Sequence, residues 1–168
     1  MGGRHGGRSR VIREDGLMAV RDRLQQYADR GVFRGLAEES VRAGRHRFRF
    51  LWLTSTPFTL VYAPATGAFV FPKLLPNVPP RSSVGVAIRR FVVSRNTYDL
   101  PEHRRVDPDR ATVACYVKHG SLSVRIVAKA NQHGYAARRA VNLIHEIFMQ
   151  LQTYFPEYMW ENFDASQD

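Results

Sequence analysis

The chain has 168 residues, enough for one domain with a buried core and too few for two of ordinary size. Its 44% hydrophobic content, with ten Phe, seven Tyr and two Trp, excludes a disordered chain, and no apolar run approaches the ~20 residues that cross a bilayer. The net charge of +10 admits a polyanion partner, but the basic residues are almost all Arg and are spread through every segment.

The opening "MGGRHGGRSRVIR" carries charge with no apolar segment behind it, so a secretory signal is not expected. Residues 1–13 read as a flexible basic arm, similar in composition to arginine-glycine segments that bind RNA. Residues 14–163 then form a single domain, and residues 164–168, "DASQD" with its preceding Phe163, close as an acidic tail. The single Cys115 excludes an internal disulfide and a multi-cysteine zinc site, and a cytoplasmic, reducing setting is the expectation.

Asp15 is placed to cap a first helix reaching about Arg30, with Leu17, Val20, Leu24 and Tyr27 on one stripe. "RGVFRGLAEESVRAGR" mixes helix formers with Gly31, Gly35 and Gly44 and reads as an irregular or short helical connector. Three strands are expected next. "HRFRFLWLT" sets Phe48, Phe50 and Trp52 on one face against Arg47 and Arg49 on the other. "FTLVYAP" turns at Thr66-Gly67 into "AFVFPKLL", where Pro72 suggests a strand end or an edge strand.

Ser82 and Ser83 are both plausible caps for the segment "VGVAIRRFVVSRN". Valine content there favours strand, whereas Val84, Ile88, Phe91 and Val92 match a helical stripe and Arg89-Arg90 breaks strand alternation; helix is the choice. A polar loop through "LPEHRRVDP" follows, then a hairpin over "TVACYVK", His119-Gly120 and "SLSVRIVAKA". A long final helix starts near Gly134 with Ala137, Ala140, Val141, Ile144, Ile147, Phe148, Leu151 and Phe155 in one stripe. Pro156 then restarts a short aromatic helix, "PEYMWENF".

Within the final helix, "HEIFM" opens like the zinc signature HExxH, but Met149 stands where the second His belongs, and no metal site is expected. The same helical phase sets Glu146 on the solvent side and His145 on the flank of the apolar stripe. Glu102 and His103 pair a carboxylate with an imidazole in a loop, without a nucleophile beside them, so Arg104 and Arg105 read better as partner contacts. Cys115 falls at an inward strand position, where a thiol behaves as a small hydrophobe. No catalytic residues and no cofactor are expected.

The expected fold is α+β: a five-stranded antiparallel sheet in α-β-β-β-α-β-β-α order with helices mainly on one face. The face or edge left uncovered is available to a partner, with Tyr62, Phe69 and Phe71 as candidates there. This element order resembles the class I type III secretion chaperones and the bacterial YbjN sensory-transduction-regulator family, over roughly residues 15–156. The resemblance implies a module that binds an extended partner segment or forms homodimers.

Two functional expectations follow. The first is a non-enzymatic protein- or peptide-binding module, chaperone-like or regulatory and homodimeric. It would use Tyr158, Met159 and Trp160 together with Arg104 and Arg105. The alternative is a nucleic-acid-associated protein using Arg4, Arg8 and Arg10 of the arm with Arg47 and Arg49. For the alternative, strand alternation sends the aromatics of "RFRFLW" away from its arginines, whereas a stacking platform needs both on one face.

Overall fold

A computed structural model of the chain describes residues 4–52 and 56–163, with side chains described from Gly16 onward. The described residues form four α-helices and one antiparallel sheet of six strands. In chain order these are α1 (Arg4–Asp29), β1 (Phe33–Ser40), β2 (His46–Trp52), β3 (Pro57–Ala63), β4 (Ala68–Leu75), α2 (Ser83–Arg95), β5 (Ala111–Lys118), β6 (Ser121–Ala128), α3 (His133–Tyr154) and α4 (Pro156–Phe163). The strands lie side by side as β1-β2-β3-β4-β6-β5. The α+β class stands as expected; the strand number does not, because the segment expected to be a connector forms β1.

Glycine spacing explains that difference. Gly31 (φ +74°) belongs to the turn that ends α1, and Gly44 (φ +69°) to the turn between β1 and β2. Gly35 (φ +66°) lies inside the strand, where the pairing with β2 slips between Arg34 and Ala37. Such a bulge is where a left-handed residue fits in a strand. Phe33 is the one residue of β1 that is buried, so the strand lacks the alternation that marks a half-buried one. The backbone of α1 is helical from Arg4 rather than from Asp15, so residues 4–13 belong to a helix.

Elsewhere alternation predicts the faces well. Phe48, Phe50 and Trp52 of β2, Phe58, Leu60 and Tyr62 of β3, and Leu122, Val124 and Ile126 of β6 are all buried on one face. Val20 and Leu24 of α1, Ile88 and Val92 of α2, and the α3 stripe of Ala140, Ile144, Ile147 and Leu151 join the same core. Phe58 stacks edge-on to Phe148 of α3 at 5.2 Å, and Phe148 meets Phe163 of α4 at 5.4 Å. Burying a side chain of this size contributes about 1.5–3 kcal/mol, so the aromatic ladder holds sheet and helices together. Tyr62, Phe69 and Phe71 are at most 1% exposed, on the helix-covered face; they are core residues, not candidates for the open one.

Two polar side chains repair places where strands cannot pair. Pro72, expected at a strand end or an edge, sits inside β4 between β3 and β6. The β4–β6 register slips between Phe71 and Leu75, so the missing proline N–H falls in a bulge. The next amide, on Lys73 (φ +51°), donates to the Ser123 hydroxyl at 2.9 Å. Asn96, just past α2, donates to the Val106 and Ala111 carbonyls at 3.0 and 3.2 Å and accepts from the Val113 N–H at 3.3 Å. Its amide takes the place of a partner strand on the outer edge of β5.

The β3–β4 turn sets a local limit on shape. At Gly67 (φ +71°) an added Cβ would lie 2.9 Å from the Ala128 carbonyl oxygen and 3.2 Å from Nε2 of His133. At Gly120 (φ +75°), in the β5–β6 turn, nothing lies within 4 Å. Gly120→Ala should therefore cost only the left-handed backbone term, about 1–2 kcal/mol. Gly67→Ala should exceed that by at least ~1 kcal/mol, because overlap adds to the backbone term. Urea unfolding of the two variants checks this, and equal losses would contradict the close approach at Gly67.

Candidate binding face

All the helices that contact the sheet do so from the buried face of its strands. The opposite face carries the alternate residues: Arg47 and Arg49 of β2, Thr59, Val61 and Ala63 of β3, Ala68, Val70 and Pro72 of β4, and Arg125 and Val127 of β6. The register assembles one row across the strands. Glu39 pairs with Arg47, Arg47 with Val61, Val61 with Val70, Val70 with Arg125, and Arg125 with Ala114. Two valines thus stand between two arginines, which are three strand spacings, or about 14 Å, apart.

Two shallow concavities share Val61 and Pro72 on this face. One, of about 540 Å³, is bordered by Arg47, Arg49, Thr59, Lys73 and Phe163. The other, of about 480 Å³, is bordered by Arg45, Ala63, Val70 and Arg125. The floor is small and aliphatic and the border is cationic. A floor of this kind accepts apolar side chains, while the border selects for negative charge.

The charge is only partly neutralised. Arg47 donates to Glu39 at 2.9 Å, and Nε of Arg49 lies 3.6 Å from the same carboxylate oxygen. The Arg47 hydrogen bond, with both guanidiniums nearby, holds the Glu39 carboxyl below its ordinary range. Arg45, Lys73 and Arg125 make no ion pair with a described residue. Around the apolar floor, five cations therefore face one carboxylate among the described residues.

The residues expected as partner contacts fall elsewhere. Tyr158 and Met159 are core: Met159 is 1% exposed, and the Tyr158 hydroxyl donates to the Pro76 carbonyl. Burial drives the Tyr158 phenol well above its ordinary range, as expected of a hydroxyl withdrawn from water. Trp160 alone of the three is available, at 54% exposed. Arg105 is half-buried and donates to the Tyr98 and Leu100 carbonyls, so it holds its own loop together. Arg104 is exposed beside it. Arg47 and Arg49 point outward as expected, while the side chains of Arg4, Arg8 and Arg10 and the residues 164–168 lie outside the described residues.

Glu146 also departs from expectation. It is half-buried, not solvent-facing: Arg95 of α2 reaches it at 3.0 Å, and Arg104 and Arg139 lie close by. Helical phase gave its direction correctly, but α2 and the 96–110 loop occupy the space where solvent was expected. His145 is exposed and stacks on Trp52, with ring centres 5.8 Å apart, as a residue flanking the apolar stripe should. Glu102 and His103 are exposed on a 3-10 turn, and the concavity beside them, between Arg104, Arg105, Arg139 and Glu146, holds about 10 Å³. That is room for a single water at most. Burial pushes the Cys115 thiol up to about 11, which leaves it an inert thiol at neutral pH. Among the described residues no three His, Cys, Asp or Glu are grouped as a metal site, and no helix is long and apolar enough to cross a membrane.

Comparison with protein-family models, curated proteins and solved structures finds no match.

Two carboxylates titrate with opposite consequences. Burial raises the Glu146 carboxyl above its ordinary 4.5, an effect that the nearby arginines offset only in part. A raised folded value favours the protonated form, so this contribution is full below 4.5 and is lost as pH rises through the folded value. Glu38 is the reverse. The Arg21 hydrogen bond lowers its carboxyl, so its contribution is present above 4.5 and is lost as pH falls through the folded value. Between about pH 7 and 3, the wild type should gain stability relative to Glu146→Gln and lose it relative to Glu38→Gln. Urea midpoints across that range measure both slopes.

Removing the Tyr158 hydroxyl should destabilise the fold by about 1 kcal/mol in Tyr158→Phe, the worth of one hydrogen bond. Trp160→Ala, at an exposed position, should stay within about 0.5 kcal/mol of wild type. Thermal unfolding of the two variants tests the assignment of Tyr158 to structure.

Proposed function

We propose that the chain is a non-enzymatic module that binds a segment of another protein across the open face of its sheet. One observation carries this reading: among the described residues the helices meet one face of a six-stranded sheet only, and the centre of its other face is aliphatic. Val61 and Val70 are half-buried and Pro72 is exposed, and contiguous apolar surface rimmed by polar groups favours a contact site. The element order without β1 resembles type III secretion chaperones and YbjN-type regulators, a class in which an extended segment or a second copy is engaged; β1 is an addition to that order. A chaperone-like or regulatory role in the cytoplasm is consistent with both.

Nucleic-acid binding is the second reading, and the cations on the open face favour it. It is weaker because Phe48, Phe50 and Trp52 are in the core, so the arginines of β2 have no aromatic neighbour of that strand on their own face.

Panning a random peptide library on the full chain tests the leading reading. Val61→Asp combined with Val70→Asp should lower the affinity of the selected peptides by about tenfold or more, because each buries a carboxylate under the ligand. Trp160→Ala should leave it unchanged. Undiminished binding by the double variant, or an equal loss in Trp160→Ala, would remove the open face from this function.

A further inference from the structure

The open face differs from most exposed apolar surfaces in how its charge is placed. Arg47 and Arg125 stand at the two ends of a row whose middle is Val61 and Val70. Arg125 is unpaired among the described residues, and Arg47 shares one carboxylate with Arg49. Lys73 and Arg45 extend the positive border along the strands. An occupant must therefore bring apolar groups to the middle and negative charge to both sides.

A second copy fits this poorly. In a two-fold dimer the same patch meets itself, so the cationic borders would face each other across an interface that excludes water. Like charges so placed cost several kcal/mol. Nucleic acid supplies the negative charge but no apolar groups to match the aliphatic floor; Val61, Val70 and Pro72 carry no aromatic ring, and the exposed ring of this face, Tyr116, stands on β5 beyond Arg125. A protein segment with carboxylates and aliphatic side chains in alternation satisfies both requirements.

Taking the protein-binding reading as its basis, we propose that the open face docks an acidic amphipathic segment of another protein. Its aliphatic side chains lie over Val61, Val70 and Pro72, and its carboxylates reach Arg47 on one side and Arg125 on the other. Recognition of this kind is salt-sensitive, because its border pairs are exposed.

The experiment uses the full chain and a displayed library of random peptides about twelve residues long, enough when extended to cross the six strands. The enriched peptides should carry net negative charge with aliphatic residues interspersed. Synthesised copies should lose about tenfold or more in affinity on Arg47→Glu with Arg125→Glu, and less on the corresponding Gln pair. Arg89→Glu with Arg90→Glu on α2 changes net charge equally and should leave affinity within about twofold, which separates the local border from overall charge. The Gln pair keeps the test valid should charge reversal disturb folding.

Enrichment of neutral or basic peptides, or equal losses in the two Glu pairs, overturns the acidic occupant while leaving peptide binding intact. Failure to enrich any peptide overturns both. A single-stranded RNA oligonucleotide, bound under the same conditions and lost on the Arg47/Arg125 exchange, would assign the face to nucleic acid instead.

Discussion

The seating of α3 on the sheet is the contact from which most of the remaining structure follows. Ile144, Ile147 and Leu151 form one continuous stripe, and the helix meets both β4 and β6, the two strands that are adjacent in space but distant in sequence. With that helix fixed, its neighbours have little freedom. α1 lies alongside it, with the Tyr27 hydroxyl donating to Asn142 at 2.7 Å. α2 is tied to it through Arg95 and Glu146, and α4 folds back so that Phe163 closes against Phe148. The described helices thus gather on the side that α3 occupies, and no other described element covers the opposite side of the sheet.

This arrangement also separates the two kinds of side chain that might otherwise cooperate. The Phe and Trp residues of β2 and β3 are consumed by the helix-covered face, where they join the core. What is left for the open face is aliphatic and cationic. A strand such as β2 is informative because one short sequence serves both faces at once, with Phe48, Phe50 and Trp52 inward and Arg47 and Arg49 outward.

Where one period ran unbroken, residues and fold correspond closely. The two-residue alternation of β2 and of β6, and the long stripe of α3, each report a buried face, and that of β5 a half-buried one. β1 was illegible for the converse reason: an edge strand buries little, and Phe33 alone carries its pattern. Glu146 was misplaced because helical phase describes one helix, whereas its surroundings come from α2 and a loop. Tyr158 and Met159 looked like an exposed aromatic patch because a helix as short as α4 has too few turns to show which face is covered. The row from Arg47 to Arg125 required knowing that β4 lies beside β6, a non-local pairing that no window of sequence contains.

The side-chain amide of Asn96 has a consequence for how the molecule can assemble. Strand-by-strand polymerisation needs a free rung at the end of the ladder, and at β5 that rung is already occupied by Asn96. At the other end, β1 offers a bulged strand bearing Arg34, Glu38 and Glu39, a poor template for a flat newcomer. Asn96 thus blocks the first rung at the β5 edge, and the bulge and charges of β1 oppose in-plane pairing at the other edge.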